Sequence, residues 1–273
     1  MAGSTPKIKY DDRPVGVFDS GFGGVSTLRN LMRMLPDERF IYYGDNKNAP
    51  YGDRPEGEIL ALSVRAADFL LDHGVKALVV ACNTATSASI KALRMKLEVP
   101  VVSVEPAIKP ACEAEGDGIV LMLATVATTR LARYRALQSR MPDPERVKNV
   151  GCSGLVELIE RGVLGGEAIE NKLREKLAPF EGEKVDGIVL GCTHYPFIRP
   201  AIERYAAEHF SGPCRVYDGN EGTARQLKRV LAREGLLSLP AENKGARVSF
   251  FTSGERDFCE PIFGMLLREP IYE

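Results

Sequence analysis

The sequence predicts an α/β fold made of two similar domains, each with a mainly parallel sheet flanked by helices and related by a pseudo-two-fold axis, with the active site in the interdomain cleft. Three observations carry that expectation. Short apolar runs alternate with longer segments of helical period, the alternation begins again near Gly118, and one strand-plus-cysteine segment recurs in both halves. A chain of 273 residues, 44% of them hydrophobic, is long enough for two ordinary domains with a substantial core.

The elements follow in order. Residues 15–18 read as the first strand; Gly21, Gly23 and Gly24 make a tight turn, and Leu28, Leu31, Met32 and Leu35 recur at helical spacing. Then come a strand at 40–43, a helix at 56–73, a strand at 77–81, a helix at 87–97 and a strand at 101–104 closed by Glu105-Pro106. In the second half a strand at 118–123 precedes Thr125 and Thr128, which open a helix that includes Tyr134. A strand at 147–150, helices at 155–161 and 167–177, a strand at 185–191 and a helix at 198–210 follow. A strand at 215–217, a helix at 221–234, a last strand at 246–252 and a helix from about Arg256 complete the chain. The chain is expected to cross over near Glu105-Pro106 and return near Asp218. Residues 1–105 with 218–273 then form the first domain and 106–217 the second.

The recurring segment is Val75 through Cys82, set against Val185 through Cys192. Each runs seven residues from the leading valine to the cysteine, along an apolar strand and into a polar turn. The first-strand exits, Asp19 and Thr125, precede these cysteines by 63 and 67 residues. Ligands of parallel sheets bind beyond the carboxyl ends of the strands, so both cysteines stand where chemistry is expected.

Composition excludes several functions. The 36 basic and 37 acidic residues are spread along the chain, with no basic stripe for nucleic acid. The apolar runs at 77–82 and 188–192 are too short to cross a bilayer. Residues 1–12 hold no apolar stretch of secretory type and read as a flexible lead-in, so a cytoplasmic location is expected. The six cysteines, at 82, 112, 152, 192, 214 and 259, include no C-x-x-C pair and no zinc spacing. Free thiols are then the expectation, most of them acting as small buried hydrophobes.

A cysteine that acts as a base must be a thiolate part of the time, which backbone N–H groups at a strand exit or helix start favour. Asn83, Thr84 and Thr86 follow Cys82, and Thr193, His194 and Tyr195 follow Cys192. Either cysteine alone reads as a core residue that ends a strand; the matched pair reads as a site. Cys112, Cys152, Cys214 and Cys259 lack that setting. Asp19-Ser20-Gly21-Phe22-Gly23-Gly24 offers a glycine turn whose N–H groups suit a carboxylate, although a capped helix start has the same look. It lacks the Walker lysine and the full dinucleotide fingerprint. Pro50-Tyr51-Gly52 reads as a turn.

Together the motifs around Asp19, Pro50-Tyr51-Gly52, Ala81-Cys82-Asn83-Thr84 and Gly191-Cys192-Thr193-His194-Tyr195-Pro196 resemble the glutamate racemases of the cofactor-independent aspartate/glutamate racemase family. The resemblance runs from about Val15 to the last helix. It implies interconversion of L- and D-glutamate, supplying D-glutamate for peptidoglycan, with neither pyridoxal phosphate nor metal as cofactor, and commonly a homodimer. It makes Cys82 and Cys192 the acid–base pair, with Asp19 and His194 as auxiliary polar groups beside them. Asp19, Ser20, Tyr51, Gly52, Asn83, Thr84, Thr125, Thr128, Thr193 and His194 would line the glutamate site, with Glu160 as the acidic neighbour of His194. Glu157 stands where the family commonly has proline, and Leu131 where serine is frequent.

Inversion requires a proton to leave one face of the α-carbon and another to arrive at the opposite face, so two fixed thiols are the simplest device. By the resemblance, Cys192 serves L-glutamate and Cys82 serves D-glutamate. Other readings of the same scaffold are an aspartate racemase, an arylmalonate decarboxylase, which would keep one of the two cysteines, and a non-catalytic amino-acid-binding protein.

Overall fold

Strands that are apolar on both faces need cover on both faces, and parallel pairing with helical crossovers supplies it. In the computed structural model, which describes residues 10–240 and 247–271, strand β1 (Val15–Asp19) is buried throughout and lies inside such a sheet. Helix α1 (Val25–Met34) leads to β2 (Phe40–Gly44), α2 (Glu56–Asp72) to β3 (Ala77–Val80), and α3 (Asn83–Lys96) to β4 (Val101–Ser103). β1 pairs in parallel with β2 on one side and β3 on the other, and β4 extends the sheet beyond β3.

A short helix, α4 (Ile108–Glu113), carries the chain to a second parallel sheet. Its strands are β5 (Ile119–Ala124), β6 (Val147–Gly151), β7 (Val185–Leu190) and β8 (Arg215–Tyr217). Helices α5 (Val126–Arg130), α6 (Ala132–Gln138), α7 (Leu155–Ile159), α8 (Glu167–Leu177) and α9 (Arg199–His209) cover it. The chain then returns through α10 (Asn220–Glu234), places β9 (Val248–Thr252) beside β2, and ends on α11 (Arg256–Arg268).

The strand orders are β4-β3-β1-β2-β9 and β6-β5-β7-β8. Read from the other edge, the second is β8-β7-β5-β6, which is the order of the first sheet without β9. The repeat inferred from one short segment therefore extends to the whole topology. α1 packs on α10 and α11 through a face that includes the buried Val25, Leu28 and Leu31. Each such side chain contributes about 1.5–3 kcal/mol by leaving water.

Four local differences from the sequence reading have physical causes. α3 starts at Asn83 rather than at 87, because Cys82 itself is the N-cap. The helix expected to run from Thr125 through Tyr134 is two helices, parted at Leu131, whose extended backbone (φ −66°, ψ 137°) ends one and begins the other. The helix expected over 155–161 ends at Ile159, where the Gly162 N–H turns back to the Ile159 carbonyl at 2.8 Å and Gly162 takes a left-handed φ of 79°. α4 escaped notice because Pro110 sits in it; proline is tolerated there only because it falls in the first turn. The start of the last expected strand, Ala246, and most of the N-terminal lead-in lie outside the described residues.

Candidate active site

In an open parallel sheet the crevice for ligands forms where neighbouring strands send their connections in opposite directions. In the first sheet that point lies between β1 and β3, which end side by side (Phe18 opposite Val80) and deliver Asp19 and Cys82. In the second it lies between β5 and β7 (Leu123 opposite Leu190), which deliver Thr125 and Cys192. The two crevices face each other. Ser20, Tyr51, Gly52, Cys82, Asn83, Thr84, Thr125, Cys192, Thr193 and His194 line one cavity between them.

Cys82 is held by its own half. Its extended backbone (φ −121°, ψ 122°) places Sγ 3.4 Å from the N–H of Ala85, as a serine N-cap oxygen would be placed. The thiol also reaches Ser20 Oγ at 3.6 Å. The N–H at the helix start favours a thiolate, as expected from the sequence, but it does not prevail. Burial, followed by the Asp19 charge, pushes the Cys82 thiol up to about 12. Cys82 is thereby held as a protonated thiol.

Cys192 is held differently. No α-helix starts after it; the chain turns back, with Tyr195 N donating to Cys192 O at 3.1 Å, and enters a short 3-10 turn (Tyr195–Ile198) before α9. Its Sγ lies 3.6 Å from His194 Nδ1, and His194 Nε2 lies 2.5 Å from Glu160 Oε1. Burial opposes a charge on His194, but the Cys192 sulfur and the Glu160 carboxylate outweigh it and hold the imidazole well above its usual pKa. Glu160 in turn accepts the Phe22 N–H at 2.6 Å and the Asn46 amide at 3.1 Å, both from the first half.

Asp19 ties the two sides together. It is fully buried, accepts the Gly21 N–H at 2.8 Å and the Thr193 hydroxyl at 3.0 Å, and has its pKa raised by burial against the pull of His194. Gly23 lets the halves meet, since a Cβ there would collide with the His194 ring and stand 2.6 Å from Thr193 Oγ1.

Across the cavity Thr84, Thr125 and Thr128 form a triangle of hydroxyls with sides of 3.1, 3.0 and 3.0 Å, and Thr125 also caps α5. Gly52 approaches Thr125 so closely that a Cβ would lie 2.8 Å from Thr125 Cβ. Asn83 Oδ1 is buried with no partner among the described residues. These groups close the cavity to about 10 Å³, room for one water.

The structure brings the sequence-derived residues together, with three differences in their placing. Thr128 sits behind Thr84, and Asp19 lies beneath the lining. The Tyr51 hydroxyl is not turned to the cavity but donates to Asp45 Oδ2 at 2.6 Å, so the ring and the backbone form the wall. Asp45 was missed by the sequence reading. It also accepts from Asn48 at 2.9 Å and Ser253 at 2.6 Å, and so holds the 46–52 loop. Its position directly after a strand was the available signal. Val156, an apolar wall residue, gave no signal at all.

The profile of the Asp/Glu/Hydantoin racemase family matches residues 23–227. A glutamate racemase from Clostridium botulinum (strain Okra / Type B1) is 43% identical over 248 residues, covering 91% of this chain and 94% of that one. Among solved structures, glutamate racemase from Francisella tularensis in complex with D-glutamate superposes with a TM-score of 0.80 at 28% identity, covering 95% of each chain. Escherichia coli glutamate racemase, in complex with L-glutamate and the activator UDP-MurNAc-ala, gives 0.79 at 31% identity, covering 94% of this chain and 95% of that one.

Proposed function

This chain belongs to the Asp/Glu/Hydantoin racemase family, and we infer that it interconverts L- and D-glutamate with Cys82 and Cys192 as its two acid–base groups. The reaction supplies D-glutamate for peptidoglycan. The observation that carries the assignment of residues is that equivalent strands of a repeated sheet deliver two thiols to one cavity from opposite halves.

For L-glutamate, the Cys192 thiolate takes the α-proton and the bonding pair stays on the α-carbon. The Cys82 S–H then delivers its proton to the opposite face. Cys192 ends as thiol and Cys82 as thiolate, and D-glutamate reverses the sequence. The high pKa of Cys82 suits the donor state. For D-glutamate it must yield a thiolate, which the nearby substrate ammonium favours by direct charge attraction.

The α-proton of an amino acid is very weakly acidic, so the developing charge needs donors. Ser20, Thr84 and the Asn83 amide line the cavity and serve the α-carboxylate, Thr193 lines it with its hydroxyl proton already given to Asp19, and the unpartnered Asn83 Oδ1 suits the ammonium. Tyr51 and Gly52 form the wall beside them, and Thr125 and Thr128 hold Thr84. Asp19 and His194 with Glu160 tune the two thiols. A cavity of about 10 Å³ admits no amino acid, so the halves part for substrate to enter.

Taking residues 1–105 with 218–273 as one catalytic half and 106–217 as the other agrees with sheet membership. By similarity to the family we place the enzyme in the cytoplasm as a homodimer. No helix among the described residues is long and apolar enough to cross a membrane.

The test is α-hydrogen exchange. In D₂O, with no added cofactor, both enantiomers of glutamate should lose the α-proton signal as they racemise. Exchange of aspartate with none of glutamate would overturn the substrate assignment.

A further inference from the structure

Ser26 is buried in the first turn of α1, and its side chain faces the other half of the molecule. Its hydroxyl lies 2.7 Å from the carbonyl oxygen of Thr193, 167 positions along the chain, and 2.9 Å from that of Gly23. A hydroxyl has one proton to donate. The Gly23 oxygen already receives the Ser26 backbone N–H at 3.0 Å, so the shorter contact to Thr193 is where the proton does most.

Thr193 follows Cys192 directly. Its carbonyl is tied to Ser26 and its hydroxyl to Asp19 Oδ2 at 3.0 Å, so one residue is pinned at the backbone and at the side chain from the first half. Ser26 is itself fixed: Asn30 Nδ2 donates to its carbonyl at 3.0 Å, and α1 packs on α10 and α11. Cys82 has no equivalent, because its position is set by the helix it caps.

We propose that Ser26 is a positioning residue for Cys192, holding the Thr193 carbonyl so that the thiol meets one face of the substrate α-carbon. This rests on the two-thiol reading, with Cys192 facing L-glutamate. Enantiomers are equal in free energy, so kcat/KM must fall equally in both directions whichever thiol is disturbed. The role therefore shows in isotope effects. In Ser26→Ala, kcat/KM should fall about tenfold. The isotope effect with α-deuterated L-glutamate, whose bond is broken by Cys192, should rise. That with α-deuterated D-glutamate should fall, since reprotonation by Cys192 becomes the slow step. Ser26→Thr, which keeps the hydroxyl, should restore both.

Unchanged kcat/KM in Ser26→Ala, or isotope effects that move together, overturns the role of Ser26. So does a folded Ser26→Thr that behaves like the alanine variant; if it does not fold, the two isotope effects in Ser26→Ala decide alone. The wild-type enzyme is run alongside. Absence of α-deuterium exchange in it is failure of the two-thiol reading, whereas normal exchange with symmetric effects in Ser26→Ala is failure of the positioning role only.

Discussion

Cys82 and Cys192 leave equivalent strands of sheets with the same order, yet their surroundings share little. Cys82 caps a helix of its own half, with Ala85 N–H at 3.4 Å and no cationic side chain bonded to it. Cys192 stands beside His194, which is backed by Glu160, and Glu160 takes its N–H donors from Phe22 and Asn46 across the cleft. The repeat accounts for the position of each thiol, and the cross-cleft contacts account for its chemistry. Duplicated geometry thus does not imply duplicated surroundings. Burial and the Asp19 charge raise the Cys82 thiol, whereas Cys192 is built beside an imidazole whose own pKa is raised.

The comparison breaks most sharply if one thiol proves sufficient. Cys82→Ser and Cys192→Ser should each lower racemisation by about 10³-fold or more, followed by circular dichroism of the glutamate solution. Near-normal turnover in either variant removes the two-base scheme.

Gly23→Ala is the next test. It should leave Cys82 in place while the new methyl presses on His194 and Thr193, lowering kcat/KM by roughly ten- to a hundredfold. A fully active Gly23→Ala would mean that the close approach of the halves has no bearing on the Cys192 side.

The smallest effect concerns stability. His194 has a folded-state pKa above its unfolded value, so its protonated form stabilises the fold. That contribution is complete below the unfolded pKa of about 6.5 and fades as pH rises through the raised folded value. Wild-type urea midpoints, relative to His194→Asn, should therefore decline from pH 6 upward. A constant difference would show that the imidazole charge is not linked to folding.

Much of this was legible along the chain. Buried parallel strands read as apolar runs, and the two cysteines stood out because their strands match. The common sheet order was not legible, since pairing of β1 with both β2 and β3 leaves no mark on either strand. The start of α3 was misplaced because cysteine is not among the usual capping residues. Asp45 and Ser26 were passed over because what they hold, Ser253 and Thr193, lies 208 and 167 positions away. The first contact joins distant segments of one half, and the second arises only after both halves have folded and met.

The closed cavity has a consequence for what happens between turnovers. In the two-thiol scheme, turning L-glutamate into D-glutamate leaves the sulfur proton on Cys192 instead of Cys82, and the closed cleft between the halves offers no bulk solvent through which to move it back. Until the cleft opens, the protein carries a one-bit memory of the enantiomer it has just made. It is then poised to run that molecule backwards and unable to accept another copy of its starting material. Reset belongs to the open protein, so a full cycle includes a step in which no substrate takes part.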